Sequence, residues 1–138
     1  MFGALDIPTS GMIAQRTRLE ATSANIANRG ALYNADGEYD PFRKRLVNFS
    51  AGDPWAASDA GRRLGVHVSS IVADQDALRS RFEPDHPEAD ENGYIMVPNI
   101  DSLTEQVNAM SAARAYEANV TAAEALKDTM TQALRMLA

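Results

Sequence analysis

The sequence predicts an α+β fold: long N- and C-terminal helices pair as a coiled coil, an α-helical core domain, with a small β-rich insert between them. Three observations carry this expectation. Apolar residues recur every seven positions from Leu5 to Ile26, Gly, Pro, Asn and Asp punctuate short alternating runs between about 31 and 98, and neither Pro nor Gly interrupts the run from Ser102 to Leu137. The domains follow as 1–30 for the N-terminal helix, 31–98 for the insert with its loops and 99–138 for the C-terminal helix.

In the first segment Leu5, Met12, Leu19 and Ile26 form one stripe of a helix, with Ile7, Ala14 and Ala21 in an adjacent row. Pro8 and Gly11 disfavour regular helix at the extreme start, so the helix is predicted from about Ser10, with Ser10 as N-cap and residues 1–9 unstructured until bound. Asn28, Arg29 and Gly30 end it, the glycine offering the left-handed conformation that closes helices.

In the insert, Phe42 to Phe49 reads as one strand. Leu64, Val66, Val68 and Val72 line one side of a second, interrupted by Ser70. The intervening SAGDPWAASDAGRR is rich in turn residues and reads as a loop, and the turn Asn92-Gly93 leads into a third strand, Tyr94 to Val97. Three short strands with little large apolar surface do not make a free-standing sandwich.

In the last segment Ser102 and Glu105 fit a capping box, and Pro98 blocks helix upstream. Leu103, Val107 and Met110 make one stripe. Tyr116, Val120, Ala123, Met130, Leu134 and Leu137 make a second, one position out of phase, with Arg114 and Glu117 where the first would have continued. At ~1.5 Å per residue this helix is about 50 Å long, more than the N-terminal one can cover. Part of its apolar surface is expected to need a partner.

Composition agrees. Alanine supplies 24 residues, while Leu, Ile, Val and Phe together number 27 of 138, close to the level of roughly 20% below which charged chains tend toward disorder. No apolar run approaches the ~18 residues of a membrane span, and no basic region followed by an apolar block marks a cleaved signal. The absence of cysteine excludes disulfides, thiolate metal sites and cysteine nucleophiles. Residues 65–138 carry 12 acidic and 5 basic groups, which argues against a nucleic-acid clamp.

One segment invites a catalytic or metal reading: Glu83, Asp85, His86, Glu88, Asp90 and Glu91. Only one histidine is present there, no second ligand stands at helical spacing, and Pro84 and Pro87 fit a rigid loop, so neither catalytic nor metal residues, nor a cofactor, are assigned. His86, Pro87, Gly93, Tyr94, Pro98 and Asn99 are read instead as a fixed loop entering the last strand. Trp55, on its Gly- and Pro-flanked loop, is read as a packing anchor.

The segment MIAQRTRLEATSANIANRG, ending in Asn25, Ile26, Ala27 and Asn28, resembles the start of bacterial flagellar rod and hook proteins. A more specific likeness is the pattern HP-x-A-D-x-x-GY-x-x-x-PN, standing here as His86, Pro87, Ala89, Asp90, Gly93, Tyr94, Pro98 and Asn99, which is similar to that of the proximal rod proteins. Arg114 to Asn119, RAYEAN, resembles a segment shared more widely among rod and hook proteins. One departure stands out: where the family commonly has threonine, this chain has Ala31.

The resemblance implies a structural, non-enzymatic subunit of the flagellar basal body. It would lie in the periplasmic rod after export from the cytoplasm by the flagellar type III apparatus and polymerise to transmit torque. Implied partners are copies of itself, other rod proteins and the export apparatus, with no nucleic acid, no small-molecule substrate and no membrane span. Candidate packing residues are Leu5, Met12, Leu19, Asn25, Ile26, Asn28, Arg114, Tyr116, Asn119, Val120, Met130, Leu134 and Leu137. The alternative is a coiled-coil adaptor module that binds a partner helix without polymerising.

Overall fold

A computed structural model describes residues 2–137 and the side chains of residues 3–136. A 3-10 turn, Phe2–Leu5, leads into helix α1, Asp6–Ala27, and the chain closes with helix α3, Ser102–Leu137. Between them lie strand β1, Arg45–Ala51; helix α2, Asp59–Leu64; and strands β2, Val66–Ala73, β3, Leu78–Phe82, and β4, Tyr94–Pro98. The mixed fold with long terminal helices is therefore as expected, and α1 packs more extensively on α3 than on any other element.

The start of α1 corrects the expected boundary. Residues 2–9 are already helical, because Pro8 falls in the first turn, where backbone N–H groups have no intrahelical acceptor and its missing donor costs nothing. Ser10 is not a cap: its hydroxyl donates to the Ile7 carbonyl at 2.7 Å and accepts the Val66 N–H at 3.0 Å, pinning β2 to α1. The helix ends at Asn28, whose N–H reaches the Ala24 carbonyl at 3.0 Å. Gly30 does not take the left-handed conformation; among the glycines only Gly37, Gly52 and Gly93 have positive φ.

The insert holds four strands in two antiparallel pairs, where three strands were expected. In β1–β2 the pairing steps from Asn48 with Ser70 to Phe49 with Val68, leaving Ser69 as a bulge. That extra residue is the physical origin of the broken apolar row in β2. Strand β3 was missed because Arg79, Ser80 and Arg81 carry no apolar alternation; pairing with β4 defines it. The free edge of β4 is closed by Tyr39, whose hydroxyl donates to the Met96 carbonyl at 2.6 Å and accepts its N–H at 2.9 Å.

Helix α2 lies inside the stretch expected to be loop. Ser58 caps it, accepting the Gly61 N–H at 3.1 Å, and Asp6 accepts both the Ser58 N–H, at 3.0 Å, and its hydroxyl. Gly61 lets the two segments approach: a Cβ there would lie 2.7 Å from that of Asp6. At α3 the capping box is also replaced. Asp101 accepts the Thr104 N–H at 3.1 Å and hydroxyl at 2.5 Å, which hold its exposed carboxyl below the usual carboxylate range, while Glu105 turns inward.

Buried apolar side chains are few. Among the described residues they are Ala14, Ala77, Ile95, Val97 and Ala112, three of them alanine, together with Pro8, Pro41 and Pro98. The scarcity noted in the sequence is thus realised as a small core.

Candidate functional site

At the end of α1 nearest the insert, three elements meet on one buried carboxylate. Glu105 of α3 is 2% exposed and Asn25 of α1 is 1% exposed. The Asn25 amide donates to Glu105 Oε2 at 2.9 Å and to the Arg45 carbonyl at 3.0 Å, and its oxygen accepts the Arg45 N–H at 2.8 Å. Lys44 Nζ completes the set 2.9 Å from Glu105 Oε1. Burial pushes the Glu105 carboxyl up, but the hydrogen bonds from Asn25 and Lys44, with the Lys44 charge and Asn108, outweigh it and hold the group below its ordinary value. The cluster satisfies its polar atoms mutually and fixes β1 to both helices.

The seam between α1 and α3 runs antiparallel. Asn25 meets Glu105, and Gly11 lies against Asn119, so close that a Cβ on Gly11 would sit 2.5 Å from the Asn119 amide oxygen. Small and polar residues therefore occupy the contact: Gly11, Ala14, Thr22 and Asn25 are buried on α1, and Glu105 and Ala112 on α3, with Asn119 half-buried. Leu5, Met12, Leu19 and Ile26 lie about a quarter turn round from this line and are half-buried.

On α3, Glu105, Ala112, Asn119 and Leu126 follow one another at seven-residue steps. Val120, Ala123 and Met130 run beside that line half-buried, Tyr116 lies at its margin, and Leu134 is exposed; the Leu137 side chain lies outside the described residues. Leu103, Val107 and Met110 point away from α1 and are 67%, 58% and 56% exposed. Arg114 is exposed too, with no ion pair among the described residues. Asn28 donates from its side chain to the Ala24 carbonyl at 2.9 Å, closing its own helix.

The loop between β3 and β4 is held by hydrogen bonds among its own residues, backbone and side chain together. The His86 N–H donates to the Glu83 carbonyl at 3.1 Å, and His86 Nδ1 accepts the Glu88 N–H at 3.1 Å. Asp90 accepts the N–H groups of Asn92 and Tyr94 at 2.9 and 2.8 Å, and Gly93 turns the chain with φ of 81°. Tyr94 packs edge-on against Phe82, with ring centroids 5.3 Å apart. Pro98 is buried, and the Asn99 N–H donates to the Ala77 carbonyl at 2.6 Å. No group of three His, Asp or Glu among the described residues is placed to hold a metal ion. Trp55 is 76% exposed, resting edge-on against His67 at 5.7 Å between centroids.

Sequence reasoning named Asn25 but missed Lys44, Glu105 in its inward role, and the Asp6–Ser58 contact. One signal was present: Glu105 opens the seven-residue series that continues at Ala112 and Asn119. The apolar Leu103, Val107 and Met110 beside it outweighed that signal.

A pair of long terminal helices closes on a small insert, and the comparisons with known proteins fall on those two helical ends. Residues 5–29 match the family described as flagella basal body rod protein, and residues 91–136 match the flagellar basal body rod FlgEFG protein C-terminal family. The chain is 34% identical to the flagellar basal-body rod protein FlgC of Bacillus subtilis, over 98% of this chain and 97% of that one. It is likewise 34% identical to FlgC of Salmonella typhimurium and 33% identical to FlgC of Borreliella burgdorferi, each over 99% of this chain and 97% of the relative. The chain belongs to the FlgC family of flagellar basal-body rod proteins.

Proposed function

We propose that the chain is a structural subunit of the flagellar basal-body rod and assembles through its terminal helices. One observation carries this reading beyond family membership. The antiparallel register sets Leu5 beside Ala125, so roughly the last two turns of α3 run past the 3-10 turn Phe2–Leu5. They take Met130, Leu134 and Met136 with them, the last 87% exposed. Coiled-coil contacts with helices of neighbouring subunits would cover this stretch and the exposed Leu103, Val107 and Met110, supplying the burial that the small core lacks.

In this reading Asn25, Asn28 and Asn119 serve contacts within the subunit, the other packing residues named from the sequence act between subunits, and Arg114 pairs with a neighbour's carboxylate to fix register. The loop from His86 to Asn99 holds the insert in shape. The 1–30 and 99–138 segments form one helical domain and 31–98 the insert. Mechanism resides in packing and torsional stiffness, with no catalytic step. The protein crosses the inner membrane through the flagellar export apparatus, joins copies of itself and other rod proteins in the periplasm, and transmits torque toward the hook. No helix among the described residues is long and apolar enough to cross a membrane.

The test is complementation of a strain lacking the gene, followed by isolation of basal bodies. Recovery of motility with the chain in the rod fraction is expected. A chain that restores motility while staying out of isolated rods would favour the non-polymerising adaptor.

A further inference from the structure

Two grooves flank the C-terminal end of α1. One, of about 600 Å³, is lined in part by Asn28, Ala31, Asp40, Arg43 and Arg45. The other, of about 410 Å³, is lined in part by Arg29, Gly30, Arg79 and Arg81. On a chain of net charge −6 this gathers five arginines around one helix end, against Asp40 in the first groove and Asp101 in the second. Arg81 is paired with Glu83 at 2.9 Å and Asp101 is engaged in capping α3, which leaves Arg29, Arg43, Arg45 and Arg79 without an ion pair among the described residues. All four are exposed.

The charge complement stands on the same molecule. The loop between β3 and β4 carries Glu83, Asp85, Glu88, Asp90 and Glu91, of which Asp85, Glu88 and Glu91 are exposed and unpaired among the described residues. Pro84 and Pro87, the His86 turn and the Asp90 turn hold this loop in one shape, so little ordering entropy is lost when it binds. The hairpin pairs Leu78 with Pro98 at one end and Phe82 with Tyr94 at the other; Arg79 and Arg81 stand on this ladder and Glu83 at its turn end is already paired with Arg81, which leaves Asp85, Glu88 and Glu91 of the tip for a second copy.

We infer that the acidic β3–β4 tip of one copy docks into the arginine-lined grooves at the end of α1 of a second copy. The inference rests on the rod-subunit reading and names a contact outside the helices. Because the two surfaces differ, the contact is head-to-tail and repeats from copy to copy. Its contribution is orientation and choice of partner, with the helices supplying buried apolar area.

The chain has no cysteine, so a disulfide trap is clean. With Arg79→Cys and Glu88→Cys in one full-length chain, oxidation of isolated basal bodies should yield covalent dimers of this protein. Its absence from dimers in rods that contain it, or a crosslink from Arg79→Cys to a different rod protein, overturns the proposal. A charge swap provides the second arm and covers a trap variant that fails to assemble. Arg43→Glu with Arg79→Glu, or Glu88→Arg with Glu91→Arg, should each lower incorporation by at least about tenfold, and the four together should restore it. Incorporation unchanged by either pair, or no recovery in a quadruple variant whose circular dichroism is native, overturns it. Absence of the wild-type chain from basal bodies instead overturns the rod-subunit reading, and this contact with it.

Discussion

Glu105 shows how one side chain joins elements far apart in sequence. Its folded-state value is depressed, so it contributes stability that is present above the unfolded carboxylate value near about 4.3 and lost as pH falls through the folded value. The wild-type urea midpoint should therefore fall between pH 7 and pH 3, and Glu105→Gln should flatten that dependence while costing about 2 kcal/mol at pH 7. An equally steep pH profile in the variant would remove Glu105 from this role. Gly52 and Gly30 give a second residue-level test. Gly52 has φ of 82° and a Cβ there would meet the Arg62 carbonyl oxygen at 2.7 Å, so Gly52→Ala should cost about 1–3 kcal/mol. Gly30 has open space and ordinary φ, so Gly30→Ala should stay within about 0.5 kcal/mol by the same urea titration.

At the scale of elements, the long α3 divides by what covers it. Its first two thirds lie along α1, where Gly11 and Asn119 allow close approach, and its last turns lie beyond. Deleting residues 130–138 should move the thermal midpoint by less than about 3 °C while abolishing incorporation into rods. A large loss of stability would mean that the end of α3 packs within its own subunit. The N-terminal segment is the opposite case. Asp6 holds Ser58 at the start of α2, so deleting residues 1–9 should loosen the insert as well as impair assembly, an earlier urea midpoint by Trp55 fluorescence reporting the first effect. The elements most legible in sequence were the two long helices, because an uninterrupted run of helix formers decides its own conformation. Helix α2 and β3 were not legible: one depends on Ser58 capping and Gly61 fitting against Asp6, the other on pairing with β4.

Taken as a whole, the molecule binds its insert to its helices through polar links at both ends of α1: Asp6 to Ser58 and Ser10 to Val66 near the start, Asn25 to Arg45 near the close. These links should make unfolding cooperative. Fluorescence of the single tryptophan, Trp55, reports the insert, and far-ultraviolet circular dichroism is dominated by the helices; their urea midpoints should coincide. Two separate transitions would show that the insert unfolds on its own. Of the candidate assembly residues, the stripes were readable as helical faces, since a seven-residue recurrence is a property of local sequence. What lay against each stripe was not readable. The long helices, their approximate ends and the shortage of large apolar side chains follow from residue order alone, because propensity and composition are local quantities. That the helix seam is small and polar, that Glu105 is buried among Asn25 and Lys44, and that Leu103, Val107 and Met110 face outward were decided only in three dimensions. Close approach at Gly11 and the demand for hydrogen-bond partners outweighed apolar periodicity in setting which faces meet.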